Sequence, residues 1–229
     1  MSALLNVSLA HIRLPELRLI AGALSIAGLL VTTGCTSLPA KTETSTPSAA
    51  AADANQKHLA SIEHIQNFII DGRIGVQTDG RGVSGTIHWQ HLDKKDDIAF
   101  YSPMGGKIAA VKTTDENVTL TSSDGKTYVA SDAETLTQQT LGWRLPVTNL
   151  TDWVVGRPTK SAIEKASWDE SGKLTKLVQD GWEVEYQEYR DVSGNSLPSK
   201  LTLRNPKLYL KLIIERWDTS DNLQVNALK

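Results

Sequence analysis

The chain has 229 residues, with 24 basic and 26 acidic side chains and a formal net charge of −2 at pH 7. This near-neutral balance excludes the strongly basic surface of a typical nucleic-acid-binding protein, so no nucleic-acid partner is expected. The length suits one domain, or a tether followed by one domain. The single cysteine leaves packing alone, without an internal disulfide, to hold the core.

Residues 1–34 have the features of a secretory signal peptide. Arg13 and Arg18 supply positive charge, Leu19–Val31 supplies an apolar core, and small residues precede Cys35. The apolar run is too short for a transmembrane helix, which needs about 20 apolar residues. A buried core helix would be an odd neighbour for the polar segment after it. We therefore predict a cleaved signal peptide.

Cys35, directly after this segment, resembles the lipobox cysteine of bacterial lipoproteins, although Thr32 stands where that pattern usually has Leu. The resemblance implies that Cys35 carries S-diacylglycerol and an N-acyl chain, and no other cofactor is expected. The next residue, Thr36, is not the Asp that is associated with inner-membrane retention. This favours a lipid anchor in the outer membrane of a Gram-negative bacterium, with the domain on its periplasmic face.

Residues 35–55 are predicted to be the lipidated cysteine and a flexible tether. Beyond Leu38 this segment has no large apolar side chain, so it cannot bury enough surface to offset the entropy of ordering. Its root-mean-square reach is roughly 25 Å by flexible-chain scaling. The domain can therefore float near a membrane without lying in it.

The folded domain, residues 56–229, is predicted to begin with a helix over residues 56–67. Its apolar positions recur at helical spacing and are Leu59, Ile62 and Ile65. Two short helices are predicted in the middle of the domain, at 133–141 and 149–155. Asp132 is the expected N-cap of the first of these two.

Elsewhere apolar and polar residues alternate with a period of two, and turn-forming clusters separate the runs, which predicts about ten or eleven antiparallel strands. The predicted strands include residues 74–76, 86–91, 97–100, 108–110, 118–120, 162–168, 174–179, 182–189, 200–204 and 208–217. A sheet of this size must curl. We therefore predict a mainly β fold, a single curled antiparallel sheet forming an unclosed half-barrel, with helices closing its mouth.

Patterns that could carry chemistry have simpler structural explanations. The run Asp124–Thr127 ends like a phosphate-binding loop, but Leu120 stands where the upstream glycine is required, and a hairpin turn explains the run better. His88 and His91 are three residues apart on a strand, so their side chains lie on opposite faces, which disfavours a shared metal. Asp96 and Asp97 are interpreted as solvated turn residues. The sequence predicts neither an enzyme nor a metal site.

One turn carries an apolar residue at its tip. Within Tyr101–Gly106, Pro103 fixes φ and Gly105 permits a tight reversal, so Met104 must project at or near the tip. Two interpretations are open at this point. Met104 folds back into the core, or it is an exposed probe for lipid or for a partner.

The ordered combination of eight segments resembles the LolB family of outer-membrane lipoprotein receptors. These segments cover nearly all of the chain after Ile62. They are Asp71–Val76, Ile87–Gln90, Ser102–Gly105, Ala130–Glu134, Gly142–Val147, Leu150–Pro158, Gln179–Val184 and Leu197–Leu201.

The resemblance implies a half-barrel with a hydrophobic cavity under its helices. It also implies that the chain, as a monomer, accepts lipoproteins from the periplasmic carrier LolA and inserts them into the outer membrane. The family carries an apolar residue, usually Leu, between the Pro and the Gly of the projecting loop, and Met104 occupies that position between Pro103 and Gly105. The resemblance therefore implies a membrane-insertion loop here.

The apolar, inward-facing strand residues are candidates for the acyl-binding site, and each could equally be ordinary packed core. They are Trp89, Ile98, Phe100, Trp182, Val184, Leu210 and Leu212. Two other functions remain open: a structural or assembly lipoprotein of the outer membrane, and a carrier of another lipid or small apolar ligand.

Overall fold

The computed structural model describes residues 49–78, 81–141, 144, 146–219 and 223. Within that part of the chain there are three helices: α1 (Ala49–Ile62), α2 (Ala133–Leu141) and α3 (Val147–Val155). The strands are β1 (Phe68–Thr78), β2 (Arg81–Leu92), β3 (Lys95–Tyr101), β4 (Lys107–Thr113), β5 (Val118–Ser122), β6 (Thr127–Ala130), β7 (Ile163–Trp168), β8 (Leu174–Gln179), β9 (Trp182–Val192), β10 (Asn195–Asn205) and β11 (Leu208–Asp218).

All eleven strands form one sheet in the order β6-β5-β4-β3-β2-β1-β11-β10-β9-β8-β7. Every neighbouring pair is antiparallel. Strands β6 and β7 are the two edges and do not pair with each other, so the sheet is open. The predicted fold class, an unclosed antiparallel half-barrel with helices, is confirmed.

The core lies on one face of this sheet. In β11, Leu208, Leu210 and Leu212 are buried, whereas Tyr209 between them is exposed, as the period of two requires. All three helices contribute buried apolar side chains to the same core cluster as the strands. The helices therefore cover the apolar face, and the opposite face carries the polar side chains.

Helix α1 begins earlier than the sequence predicted. It starts at Ala49 and ends at Ile62, so residues 49–55 are helical and do not belong to a flexible tether. Alanine has the highest intrinsic helix propensity, which explains why a segment without large apolar residues is helical here. The side-chain amide of Asn55 also donates to the carbonyl of Gly172, 2.8 Å away, and fixes the helix to the β7–β8 turn.

The two middle helices are close to their predicted positions. Helix α2 begins after Asp132, whose carboxylate accepts a hydrogen bond of 2.6 Å from the backbone N–H of Thr135. This bond lowers the pKa of Asp132, because it stabilises the charged form. Helix α3 begins at Val147, two residues before the predicted start at Asn149. It ends at Val155 and is capped by Gly156, which has φ +92°.

Strand β6 was missed by the sequence prediction. Thr127, Tyr128 and Val129 all favour strands, but four residues are too few to show a clear alternation. The strand exists because the turn before it folds the chain back onto β5, where Leu120 is paired with Tyr128.

The prediction that Asp96 is a solvated turn residue is wrong. Asp96 is on β3, is only 7% exposed, and accepts hydrogen bonds from Trp89 Nε1 at 2.8 Å and His91 Nδ1 at 2.7 Å. The turn is confined to Asp93 and Lys94, which both have positive φ. A turn of two residues leaves Asp96 inside the strand pairing, on the same face as the buried indole.

We expect His58 to make the stability of the protein pH-dependent. Its side chain on α1 is buried, and its Nε2 has no hydrogen-bond partner. Its ring packs edge-on against Tyr189, with the two ring centroids 6.2 Å apart. Burial lowers the pKa of His58 from its ordinary value of 6.5, the nearby Lys173 lowers it further, and Asp169 opposes both. The neutral ring is therefore the form that the fold accommodates.

A histidine pKa lowered by folding contributes stability that is fully present above pH 6.5 and is lost as the pH falls toward the folded pKa. We expect His58→Leu to flatten this part of the pH dependence of the free energy of unfolding, measured by urea denaturation between pH 5 and pH 8. His64→Leu, at an exposed position, is the control and should leave the dependence unchanged. Equal pH profiles for the wild type and the His58 variant would contradict the prediction.

Candidate functional site

The loop from Ser102 to Gly106 joins β3 to β4 and is closed by three hydrogen bonds. The N–H of Gly105 donates to the carbonyl of Ser102 and the N–H of Ser102 donates to the carbonyl of Gly106, both at 2.8 Å. The N–H of Gly106 also donates to the hydroxyl of Ser102 at 3.2 Å. Gly105 has φ +83°, which suits glycine. The loop is thus a short hairpin connection that holds its tip firmly.

Met104 lies at this tip and is 98% exposed. The interpretation that its side chain folds back into the core is therefore wrong. Pro103 and Gly105 on either side are also exposed, so the loop presents one apolar side chain to its surroundings.

The turn itself does not require an apolar residue. The turns at 122–126 and 169–173 have the same two backbone hydrogen bonds, and their glycines have φ +79° and +81°. Their tip residues, however, are polar: Ser123, Asp124, Glu170 and Ser171. Since the same backbone forms with polar tips, the exposed Met104 is not explained by folding, and it is the strongest candidate for a functional residue of this loop.

The β5–β6 turn lies at the same end of the sheet as the Met104 loop, because successive hairpins of an antiparallel sheet turn at alternate ends. Next to Met104 the chain carries a cationic group: Lys107 Nζ lies 5.8 Å from the ring centroid of Tyr101. The apolar tip is thus followed by an ammonium group that is held near the loop by a cation–π contact.

The structure brings the seven predicted acyl-site residues together in the core. Phe100 is partly buried and the other six are buried; all seven belong to or pack against one cluster. They are Trp89, Ile98, Phe100, Trp182, Val184, Leu210 and Leu212. In this conformation they contact protein side chains, so an acyl chain enters only if packed groups move apart.

The concavities among the described residues include one of about 270 Å³ and one of about 390 Å³. The smaller is bordered by β1, β2 and β11 and includes Gly75 and Tyr209. The larger is bordered by the β8–β9 turn and the end of β10, and it includes Trp182 and Arg204. Of the seven predicted acyl-site residues, only Trp182 borders either concavity.

Gln179 fastens α3 to the sheet, and sequence reasoning missed it. This side chain is fully buried, and its Oε1 accepts hydrogen bonds from Trp153 Nε1 and from the N–H of Thr159, both at 3.0 Å. Its Nε2 donates to the carbonyls of Thr159 and Ser161 at 3.2 and 2.8 Å. Every hydrogen-bonding direction of the amide is used, so the burial costs little.

Arg157 fastens α1 to α3, and it too was missed. Its Nε donates to Asp152 at 2.7 Å, and its Nη1 donates to the carbonyls of Ile62 at 3.2 Å and Ile65 at 3.0 Å. These carbonyls lie at and beyond the C-terminal end of α1, where backbone acceptors lack helical partners. The only sequence signal was an arginine directly after the helix-ending Gly156.

Cys35, the lipidation site of the sequence prediction, lies outside the described residues, as do the signal peptide and most of the tether. Among the helices that the structure describes, none is long and apolar enough to cross a membrane. No cluster of three or more His, Cys, Asp or Glu side chains suited to a metal ion is found in the described ranges.

The open antiparallel sheet with helices on its apolar face places this chain in the class of half-barrel proteins. Its candidate functional site is the exposed apolar turn at Met104. The chain belongs to the family described as "Outer membrane lipoprotein LolB", whose model matches residues 66–217. The matched region includes the Met104 loop and all seven interior residues, whereas Cys35 precedes it.

Curated relatives agree with this assignment. The chain is 34% identical over 164 residues to the "Outer-membrane lipoprotein LolB" of Pseudomonas fluorescens (strain Pf0-1), covering 72% of this chain and 78% of the relative. It is 29% identical over 193 residues to the protein of the same name from Nitrosococcus oceani, covering 84% of this chain and 94% of the relative.

A crystal structure of a LolA superfamily protein from Nitrosomonas europaea aligns with a TM-score of 0.42 and 7% identity, over 76% of this chain and 95% of that one.

Proposed function

We propose that this protein accepts lipoproteins from the periplasmic carrier LolA and inserts them into the outer membrane. The observation that carries the proposal is the 98% exposure of Met104 on a turn whose backbone does not require an apolar residue. Membership of a family described as outer membrane lipoproteins supports the role in lipoprotein localisation and the location at that membrane. The lipid on Cys35 would anchor the chain on the periplasmic face.

The energetics demand a protected route for the cargo. Each buried acyl methylene is worth about 0.8 kcal/mol, so the chains of a lipoprotein cannot cross water unaided. The chain shows no phosphate-binding loop, and transfer must run downhill, from carrier to receptor to bilayer. The interior of the half-barrel would receive the acyl chains, and the Met104 loop would contact the bilayer and help to release them.

The interior site is proposed for the seven core residues together. They belong to or pack against the one buried apolar cluster that the described strands and helices share. Because the described conformation is closed, acyl binding would separate a helix from the sheet. Arg157 and Gln179 hold these elements together by hydrogen bonds. When a helix moves, water can replace the lost partners, so breaking these hydrogen bonds has little net cost.

The test is a transfer assay. LolA loaded with a lipoprotein is mixed with the full-length protein in the presence of phospholipid vesicles, and the cargo is followed from carrier to receptor to vesicle. We expect the cargo to leave the carrier, to associate with this protein, and then to appear in the bilayer. Cargo that stays on the carrier would reject the proposal.

A structural or assembly lipoprotein is the second candidate, and the tightly packed interior favours it. Binding of an environment-sensitive fatty-acid probe separates the two functions. A receptor binds the probe and releases it when loaded carrier is added, whereas a structural protein with a permanently packed core binds none. A carrier of another lipid would bind the probe but would not release it to the lipoprotein.

A further inference from the structure

The β3–β4 hairpin, which carries the Met104 loop, comes unusually close to strand β2 at Gly85. A Cβ atom added to Gly85 would lie 2.1 Å from the carbonyl oxygen and 3.2 Å from the carbonyl carbon of Tyr101. Gly85 is two residues before the buried Ile87 and four before the buried Trp89, so this Cβ position is on the apolar face. The end of β3 therefore lies over the apolar face of β2.

A second observation shows a bend at the same place. The pairing of β3 with β4 shifts register between Phe100 and Tyr101, and the pairing of β3 with β2 ends at Tyr101 opposite Thr86. An irregularity of this kind bends the strand and re-aims the residues after it. The hairpin thus departs from the sheet just before its tip.

We propose that Gly85 is a positioning residue for the Met104 loop. Its missing side chain lets the carbonyl of Tyr101 rest on β2, and this contact sets the direction in which the loop projects. The proposal builds on the proposed function, because it assigns a purpose to that direction: the apolar tip points at the bilayer.

The chain offers two matched controls. A Cβ on Gly72 would also lie 2.1 Å from a carbonyl oxygen, that of Ile213, but this contact joins β1 to β11, away from the hairpin. A Cβ on Gly75 would meet no atom within 4 Å. Gly72→Ala therefore creates the same clash as Gly85→Ala, but far from the hairpin. Gly75→Ala makes the same substitution in β1 without creating a clash.

The first measurement does not involve a membrane. Pairs of spin labels are attached at positions 104 and 124, the tips of two hairpins at the same end of the sheet, in the detergent-solubilised full-length protein. We expect Gly85→Ala to shift the distance distribution between the labels, and Gly72→Ala and Gly75→Ala to leave it unchanged. An unchanged distribution in a folded Gly85→Ala variant overturns the proposal, whatever the function of the protein.

The second measurement is insertion of cargo into vesicles by chains that keep Met104. We expect Gly85→Ala to lose most of the insertion while it still takes cargo from the carrier, and Gly72→Ala to insert cargo in proportion to its folded fraction. A Gly85→Ala variant that inserts cargo like Gly72→Ala would show that the contact is only structural.

A further variant covers the case in which Gly85→Ala does not fold. A glycine inserted between Tyr101 and Ser102, where β3 ends and the exposed loop begins, leaves β2 intact but moves the tip out of register with the bend, and insertions are best tolerated in such exposed connections. This variant should keep the thermal stability of the wild type but should no longer insert cargo into vesicles. If it inserts cargo normally, the proposal is overturned. If a Met104→Glu variant inserts cargo normally, the proposed function on which the proposal depends is rejected instead.

Discussion

Replacing Met104 with glutamate is expected to block the insertion of cargo into the bilayer while leaving folding and acceptance from the carrier intact. Because the side chain is 98% exposed, its replacement removes no packing and should change the free energy of unfolding by less than about 0.5 kcal/mol. A carboxylate at the tip, however, cannot enter the acyl region of a bilayer without a penalty of roughly 2.5–3.5 kcal/mol. The measurement is the transfer assay, with cargo quantified separately on the receptor and in the vesicle.

Two variants control this experiment. Ser123→Glu adds the same charge to a turn of the same backbone geometry at the same end of the sheet, and it should insert cargo normally. Met104→Leu keeps an apolar tip and should also insert cargo. If Met104→Glu inserts cargo at the wild-type rate, the loop is not a membrane-insertion device.

Removing the carboxylate of Asp96 is expected to destabilise the fold far more than a surface substitution would. Asp96→Ala leaves two hydrogen-bond donors without their partner, Trp89 Nε1 and His91 Nδ1. The Trp89 side chain is almost completely buried. Each buried unsatisfied group costs about 1–3 kcal/mol, so we expect a loss of roughly 2–4 kcal/mol in urea denaturation.

The neighbouring Asp97→Ala is the matched control. Asp97 forms an exposed ion pair with Lys112 at 2.8 Å, and such pairs are worth less than about 1 kcal/mol. Similar losses for the two variants would mean that the Asp96 network does not stabilise the fold. Since Trp89 is also a proposed acyl-site residue, Asp96→Ala should in addition weaken binding of the fatty-acid probe.

Much of the fold could be predicted because its signals are local. In β11 the alternation of Leu208, Leu210 and Leu212 with exposed residues identifies both the strand and its buried face. The tip position of Met104 follows from Pro103 and Gly105, whose backbone preferences act within the turn itself. Exposure at that tip was one of two open interpretations, and the structure selected it.

The errors have long-range causes. Asp96 was assigned to a turn because its neighbours Asp93 and Lys94 are turn residues, and its burial depends on where β2 brings Trp89. The predicted start of helix α1, at residue 56, was too late. The prediction relied on the spacing of apolar residues and ignored the high helix propensity of the Ala run that begins at Ala49.

The sequence by itself determined every described strand except β6, the two faces of those strands and the apolar residue at the tip of one turn, since each depends on backbone preferences and side-chain periodicity over a few residues. Only the tertiary structure decided that Arg157 donates to the carbonyls of Ile62 and Ile65, which lie 95 and 92 residues before it in the chain, and that Gly85 lies under the carbonyl of Tyr101. These contacts depend on how distant strands are registered and bent, and no local pattern records which groups will meet across a sheet.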